Sequence, residues 1–522
     1  SDAVVTYNIN GGSTTTATLT GGTATVTITG ATSNQTLNLV SINNPSTSCN
    51  QSLSGSSTVT VNPLPTASIS GNNGPAVCSG SDITFTLTGT SGAVVTYNLN
   101  GGSNTTVTLT GGSATVTVTA ATATQTLNLV SVTNGTCPAT LSGSSTVVIE
   151  STTWNGTSWS NGTPTSTKAV NFTGNYTIGA NFDACSISVS NNAVVSVTSG
   201  FNVNLSNTIT VASGSSFTLN NNANLFQSNV SAVNTGNIII RRQTNPLIRL
   251  DYTLWSSPVT GQGLYAFSPF TFDNRFYVYN TTSNLYNNSS IGFTITGLNG
   301  AGVNGTDTAN VSFATGKGYL IRLPYNHPTA PIIFNGSFTG VPNNGTKTIT
   351  LANVSASQQF NAVGNPYPSP IDIDQFATDN ASNIESTLYF WRKTNNALSA
   401  SYCTWNTTSG LYGDNGEAFT NSPNGVIQTG QGFLVEAKDG ATSLEFNNGQ
   451  RVANNANQFF RTTTVATPTT QADAIWLNLT GTGAEFSQAV VSYFTNATLG
   501  ADAYDSKYFN DGAVALNMLI GS

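Results

Sequence analysis

Apolar and hydroxylated residues alternate along the first 150 residues of the chain. Ala24, Val26 and Ile28 are separated by threonines, and the pattern returns with Thr115 and Thr117 among small aliphatic residues. A period of two with β-branched residues on both faces predicts half-buried strands. Gly-Gly pairs at 11–12, 21–22, 101–102 and 111–112 predict the hairpin turns between them.

This region is also an internal repeat. The segment 3–12 recurs almost unchanged as 93–102, which gives a period of 90 residues. Strands and turns in units of this size predict immunoglobulin-like β-sandwiches over 1–66 and 67–150. The upstream part of the second copy has no counterpart in the first. We therefore expect the first repeat to be incomplete on its N-terminal side and the parent protein to continue upstream through further repeats.

Cysteine positions suggest a covalent link within the second repeat. Cys78 precedes its first strand and Cys137 lies near its last, so we predict a disulfide between them; free buried thiols are the alternative. Such a bridge would close a loop of roughly 60 residues and stabilise the repeat by about 4 kcal/mol. Disulfides are typical of an extracellular compartment. Cys49 matches Cys137, with an expected partner upstream of residue 1, and the pairing of Cys185 and Cys403 stays open.

The composition changes near residue 150, where aromatic residues become frequent. Apolar residues then recur with an offset of 22, so that Ile187, Val189, Val195 and Val197 return as Ile209, Val211, Phe217 and Leu219. A fixed short period of this kind predicts a β-solenoid over 151–240. Another sandwich is the alternative interpretation.

A second duplication covers 241–462. Aromatic strands and a Gly-x-Gly turn at 316–318 return about 112 residues later, with the turn at 430–432. We predict two related β modules of about 110 residues each, followed over 463–522 by the first strands of an incomplete C-terminal sandwich. The predicted fold class is therefore all-β: tandem sandwiches, a short solenoid and duplicated sandwich-like modules.

Low charge narrows the possible functions. Only 7% of the residues are charged and the net charge is −7, without basic runs or long apolar stretches. Nucleic-acid binding and insertion into membranes are therefore excluded. The single histidine, His327, lies on a predicted loop, and no Gly-x-Ser-x-Gly motif accompanies it. The turn at 316–318 lacks the spacing of a phosphate-binding loop, so we interpret it as structural.

Carboxylates and aromatic side chains are the remaining candidates for chemistry. Asp372 and Asp374 are expected on one side of a strand, and further acids lie on loops at Asp414, Glu417, Asp502, Asp505 and Asp511. The positions of these acids fit solvated turns better than a glycosidase pair or a calcium site. We therefore assign no catalytic, cofactor or metal residue, and calcium binding stays an alternative. Sugar stacking or internal packing would both explain Trp154, Trp159, Trp405 and Tyr412.

Several short motifs together resemble the large surface adhesins of Bacteroidota, including gliding-motility adhesins exported by the type IX secretion system. These motifs lie at 154–162, 255–258, 364–369, 429–433, 457–461 and 475–479. The resemblance implies a non-enzymatic attachment or stalk protein, extracellular and held at the outer membrane by anchoring components of that system. Thr308 matches a Bacteroidota O-glycosylation pattern, Asp followed by Ser or Thr and a small residue.

The expected partners are surface polysaccharides or solid surfaces, with self-association also possible for such a chain. Two alternatives stay open. The chain could be a self-assembling extracellular filament subunit in which an incomplete sandwich accepts a strand from a neighbour. It could also be the non-catalytic tail of a secreted glycan-active enzyme.

Overall fold

The computed structural model is nearly all β, with 49% of the chain in strands and 4% in helices, which confirms the predicted class. The structure describes residues 2–288, 291–293, 295–296, 306–393, 398, 400–416, 425–453, 473–483, 485–507, 509 and 512–516. The chain divides into two compact units, Ser1–Ile149 and Glu150–Ser522, at the position where the composition changes.

The first repeat of the first unit forms one antiparallel sheet. Its strands are β1 (Val4–Ile9), β2 (Thr14–Thr18), β3 (Gln35–Asn44), β4 (Cys49–Ser52) and β5 (Ser56–Val59). They are arranged in the order β2-β1-β3-β4, and β5 also pairs with β3. Residues 24–28 are not in a strand, although they carry the alternating pattern.

The second repeat contains the same sheet and a second one that covers it. The strands are β6 (Ala67–Asn72), β7 (Ala76–Val77), β8 (Ser81–Gly89), β9 (Val94–Leu99), β10 (Thr105–Thr108), β11 (Ser113–Ala121), β12 (Gln125–Asn134), β13 (Cys137–Thr140) and β14 (Ser144–Trp154). The covering sheet has the order β11-β8-β6. A common core between the two sheets contains Phe85 from β8, Val95 from β9 and Leu127 from β12.

The second unit begins with the predicted solenoid, which has about four turns. Its strands are β15 (Lys168–Phe172), β16 (Tyr176–Ile178), β17 (Phe182–Ala184), β18 (Ser186–Val189), β19 (Val194–Val197), β20 (Asn202–Leu205), β21 (Ile209–Val211), β22 (Ser216–Leu219), β23 (Asn224–Gln227) and β24 (Ile238–Leu247). Parallel pairing places Ile187 beside Ile209 and Val195 beside Phe217. The period of 22 residues is therefore one turn, and its apolar positions fill the core.

The first module of the duplicated region follows. It contains β25 (Tyr252–Trp255), β26 (Val259–Thr260), helix α1 (Leu264–Phe267), a 3₁₀ turn (Asp273–Arg275), β27 (Phe276–Asn280), β28 (Leu285–Asn287), β29 (Ile295–Thr296), β30 (Thr306–Asp307), β31 (Tyr319–Arg322), β32 (Ile332–Pro342) and β33 (Lys347–Thr350). Its main sheet has the order β25-β31-β27-β28.

The second module repeats this arrangement. It contains β34 (Phe360–Gly364), β35 (Ile371–Asp372), helix α2 (Ile373–Asp379), β36 (Ile384–Trp391), β37 (Tyr402–Asn406), β38 (Leu411–Gly413), β39 (Val426–Ile427), β40 (Gly432–Ala437), β41 (Ser443–Phe446) and a 3₁₀ turn (Asn448–Gln450). The order β34-β40-β36-β37-β38 matches the first module, so the duplication in sequence is a duplication in structure.

The two modules contact each other reciprocally through their Gly-x-Gly turns. The backbone N–H of Gly364 donates to the Gly316 carbonyl at 2.9 Å, and that of Ser256 donates to the Gly430 carbonyl at 2.9 Å. A Cβ atom on Gly432 would lie 2.7 Å from Leu254 Cγ. Each turn therefore packs against the first strand of the other module. This close packing leaves no room for a side chain, which explains why glycine occupies these positions and confirms that the 316–318 turn is structural.

The C-terminal region contains one antiparallel hairpin, β42 (Ala474–Thr480) and β43 (Phe486–Ser492). Trp476 packs on Tyr412 and donates its indole N–H to the Tyr412 carbonyl at 3.0 Å. The opposite face carries Ile475, Leu477 and Val491, which are exposed. Within the described residues, the face that carries Trp476 attaches the hairpin to the second module.

Candidate binding surface

The acidic residues considered as a catalytic pair serve local structure instead. Asp372 ends β35 and caps helix α2, where its carboxylate accepts the Gln375 N–H at 2.8 Å. Asp374 lies in the first turn of that helix, so the expectation of two acids on one strand is wrong. Burial raises the pKa of Asp374 above its ordinary value, and its carboxylate accepts the Trp405 indole N–H at 3.4 Å.

The loop acids are likewise hydrogen-bonded to backbone. Asp414 accepts the N–H groups of Asn415 and Gly416, and Asp502 accepts that of Tyr504 at 2.9 Å. The backbone N–H of Thr498, together with that of Tyr504, lowers the pKa of Asp502. Glu417 and Asp511 lie outside the described residues. Within the described ranges, no three His, Cys, Asp or Glu side chains converge in the way a metal ion would require.

The candidate aromatic residues are half-buried and pack against other side chains. Trp154 and Trp159 lie 5.3 Å apart between ring centroids and contact Tyr176 at the beginning of the solenoid. Trp405 packs against the core of the second module. These contacts favour the packing interpretation over sugar stacking, since the rings already have partners.

The histidine and the cysteines also occupy structural positions. His327 is half-buried on a turn, with Nε2 2.8 Å from the Leu247 carbonyl oxygen. Cys137 is a free thiol, so the predicted bridge between Cys78 and Cys137 is wrong. Cys78 is disulfide-bonded, as is Cys185, while Cys49 and Cys403 are free. The pairing failed as a prediction because strand order along the chain does not determine which two Cβ atoms come within bonding distance.

Thr308 lies just after β30 and is exposed. The motif at 457–461 lies outside the described residues. In the part of the chain that the structure describes, no helix has the length and apolarity needed to cross a membrane.

One surface of the first unit consists mainly of hydroxyl side chains, with the exposed Asp82 at the end of its central row. On the sheet β11-β8-β6, Ile83, Phe85 and Leu87 point into the core and are 0% exposed, so the alternate residues point outward. Register places these outward residues side by side in rows across the strands. We call this surface the hydroxyl face, and it consists of Ser68, Thr84, Thr86, Thr88, Ser113, Thr115 and Thr117.

The geometry of the hydroxyl face follows from cross-strand pairing. Thr86 lies opposite Thr115, Thr84 opposite Thr117, and Thr88 lies between Ser113 and Ser68. Paired strands are separated by about 4.8 Å and same-face residues along a strand by about 7 Å. Each hydroxyl offers one donor and two acceptor positions. The face is therefore a regular two-dimensional array of neutral hydrogen-bonding groups.

Very little charge surrounds this array. Residues 1–149 contain no Lys, Arg or His, and their acidic side chains are limited to Asp2 and Asp82. A surface with a single carboxylate at its end attracts ionic ligands only weakly over a distance, and the contacts of its hydroxyl groups are insensitive to screening by salt. Such a surface is suited to a neutral ligand that also carries hydroxyl groups.

Sequence reasoning found part of this surface and missed the rest. The alternation around Thr115 and Thr117 predicted one strand with an outward row of threonines. To predict that β8 and β6 contribute neighbouring rows, one must know the order of the strands in the sheet, and the sequence alone does not determine that order. The signal available was the matching Thr-x-Thr-x-Thr spacing at 84–88.

Comparison with protein families matches residues 147–522 to a domain of unknown function, DUF8693. The curated proteins compared with the chain give no match. The matched range covers the solenoid, the duplicated modules and the C-terminal hairpin, and it begins within β14. The chain therefore belongs to the DUF8693 family.

Proposed function

We propose that this chain is a non-enzymatic attachment protein of the cell surface and that its hydroxyl face binds neutral polysaccharide. The observation that carries the proposal is the array of seven outward hydroxyl side chains on a sheet that is almost free of charge. Sugar hydroxyls and threonine hydroxyls can each donate and accept, so many weak hydrogen bonds can form together.

The second unit supports this proposal as a scaffold. The side chains that could have carried catalysis cap a helix, close turns or pack in cores, as described for Asp372, Asp414 and Trp405. Export by a type IX secretion system, attachment at the outer membrane and a role in gliding are the parts of the proposal that rest on the resemblance to Bacteroidota adhesins. The exposed position of Thr308 is compatible with glycosylation there.

Binding to insoluble polysaccharides tests the function. The intact chain is incubated with cellulose, chitin and mannan, and bound protein is quantified over a concentration series. The test variant is Thr86→Val with Thr115→Val and Thr117→Val, which keeps β-branched side chains on the strands and removes three hydroxyls. A net hydrogen bond contributes about 1 kcal/mol, so affinity should fall by about two orders of magnitude.

The matched control is Thr177→Val, which removes one exposed strand hydroxyl from the solenoid. This variant should bind like the unmodified chain. Failure of the chain to bind any neutral polysaccharide, or equal binding by the triple variant, would contradict the proposed function.

A further inference from the structure

One end of the main sheet of the first duplicated module carries arginine and tyrosine side chains close together. Strand pairing places Tyr252 of β25 opposite Arg322 of β31. Arg275 immediately precedes β27, and the antiparallel register of β27 with β31 brings it beside Arg322. The Arg275 guanidinium donates an N–H to the Tyr277 hydroxyl at 3.0 Å, and the Tyr277 ring centroid lies 5.9 Å from that of Tyr252. We call these residues the arginine cluster: Tyr252, Arg275, Tyr277 and Arg322.

Further aromatic rings connect the arginine cluster to another arginine. The guanidinium carbon of Arg322 lies 5.4 Å from the centre of the Phe272 ring, and the Phe272 and Tyr325 rings meet edge to face at 5.3 Å. The Arg249 guanidinium lies over the Tyr325 ring at 5.3 Å. Tyr325 is 43% exposed, so part of its ring is open to a ligand. Cations and aromatic rings therefore alternate through one continuous group of side chains.

The positive charge of this group is not neutralised by neighbouring carboxylates. Among the described residues, no carboxylate forms an ion pair with Arg249, Arg275 or Arg322. The acids nearest in sequence, Asp251 and Asp273, each accept a backbone N–H at 2.8 Å instead. A group of cations without an internal counter-charge favours an anion from outside the protein.

Arg322 has hydrogen-bonding capacity that its surroundings leave unused. Its side chain is half-buried, and its Nε–H has no hydrogen-bond partner among the described residues. Burial lowers the pKa of Arg322, and the positive charge of Arg275 lowers it further. An anion bound here would offset the repulsion between the two guanidinium groups. Carboxylate and sulfate groups fit this position because each can accept two parallel N–H bonds from one guanidinium.

We propose that the arginine cluster binds the oxyanion group, carboxylate or sulfate, of an acidic sugar residue in a polysaccharide. Arg275 and Arg322 would hold the anion, while the exposed part of the Tyr325 ring would pack against the sugar ring. The rings favour a sugar over a small inorganic anion, because they offer apolar contact beside the charge. This site goes beyond the proposed function, since the hydroxyl face belongs to the first unit and contains no cation.

Calorimetric titration of the intact chain tests the proposal. The probes are a galacturonate trimer and a sulfated galactose trimer, and their neutral counterparts are the methyl-esterified galacturonate trimer and the unsulfated galactose trimer. We expect at least one acidic trimer to bind at one site per chain. Its neutral counterpart should bind about tenfold more weakly or worse, because the charge-assisted hydrogen bonds are lost. The acidic trimer that binds more tightly identifies the anion.

Two substitutions locate the site. Arg322→Met and Arg275→Gln each remove one guanidinium and should each weaken binding of the acidic trimer about tenfold or more. Urea unfolding of each variant, followed by tryptophan fluorescence, shows that the variant is folded; if Arg322→Met does not fold, Arg275→Gln and the neutral trimers still decide the result. The matched control Arg241→Met removes an exposed arginine from the solenoid strand β24 and should bind like the unmodified chain.

The outcomes separate this proposal from its alternatives. Absence of binding by both acidic trimers, equal binding of their neutral counterparts, or undiminished binding by the folded variants would overturn it. Inorganic sulfate that binds as tightly as the acidic trimers would also overturn it, because the sugar would then contribute nothing. The threonine variant of the hydroxyl face should bind the acidic trimer normally, so the two proposals fail independently.

Discussion

The substitution Gly364→Ala tests the reciprocal contact between the two duplicated modules. An alanine Cβ at this position would lie 2.3 Å from Ser256 Cβ and 2.9 Å from the Gln431 carbonyl oxygen. Carbon atoms in contact are separated by about 3.5 Å or more, so the strands would have to move apart by about 1 Å. Ser256 is fully buried and its Cβ is fixed to the backbone, which leaves no flexible group to yield.

We expect Gly364→Ala to reduce the free energy of unfolding of the second unit by about 3 kcal/mol, at the upper end of the overpacking range. All six tryptophans lie beyond residue 150, so their fluorescence reports on this unit. With an m-value of about 3 kcal/mol/M in urea, the unfolding midpoint should fall by about 1 M.

Gly179→Ala is the matched control because a Cβ at Gly179 meets no atom within 4 Å. Its midpoint should remain close to that of the unmodified chain, since exposed substitutions change stability by about 0.5 kcal/mol or less. Equal midpoints for Gly364→Ala and Gly179→Ala would refute the close approach of the two modules.

Three further predictions concern single side chains of the described structure. The exposed thiol of Cys49 should react with a disulfide reagent in the native protein, whereas Cys403 should react only on unfolding. Burial keeps the reagent away from the Cys403 thiol and raises the pKa of that thiol to about 12. Equal labelling rates for the two thiols would contradict this prediction. Replacing the half-buried Arg451 by Met should cost the second unit about 3 kcal/mol in urea unfolding, because the hydrogen bonds that its guanidinium donates to Ser369 and neighbouring oxygens are lost. An unchanged midpoint would argue against that role. Burial raises the pKa of Glu436 above its ordinary value of 4.5, despite the nearby Lys507 ammonium. The protonated carboxyl therefore stabilises the fold below pH 4.5, and this contribution is lost as the pH rises through the pKa of Glu436 in the folded state. Glu436→Gln should flatten this slope in a pH series of unfolding curves, and an unaltered slope would count against it.

The sequence predicted the features that depend on periodicity. The offset of 22 predicted the solenoid because each turn must place an apolar residue beside the one before it, as Ile187 lies beside Ile209. The Gly-x-Gly turns could be interpreted as structural because only one copy carries a lysine. Features that depend on tertiary contact were harder to predict. Asp372 and Asp374 fit a strand by alternation, yet Asp372 caps a helix, and a capping role depends on where the helix begins.

The candidate surface shows the same limit. A row of threonines along one strand is visible in the sequence, but the array that can meet a ligand requires three strands in the order β11-β8-β6. The exposure of Val59 compared with Val147 could not be predicted from the pattern either. Both residues follow the tripeptide Ser-Ser-Thr in sequence, and their difference in exposure arises from a second sheet that covers only one of them.

Adsorption of the intact chain to a neutral polysaccharide film at varied ionic strength tests the central claim most directly. Raising the salt from about 0.01 M to about 1 M shortens the Debye length from about 30 Å to about 3 Å, which abolishes most attraction between exposed charges. Because residues 1–149 carry almost no charge, the hydroxyl face should bind with an affinity that changes by less than about threefold across this range. A steep loss of binding with added salt would show that charged groups make the contact, and would contradict attachment through hydroxyl side chains.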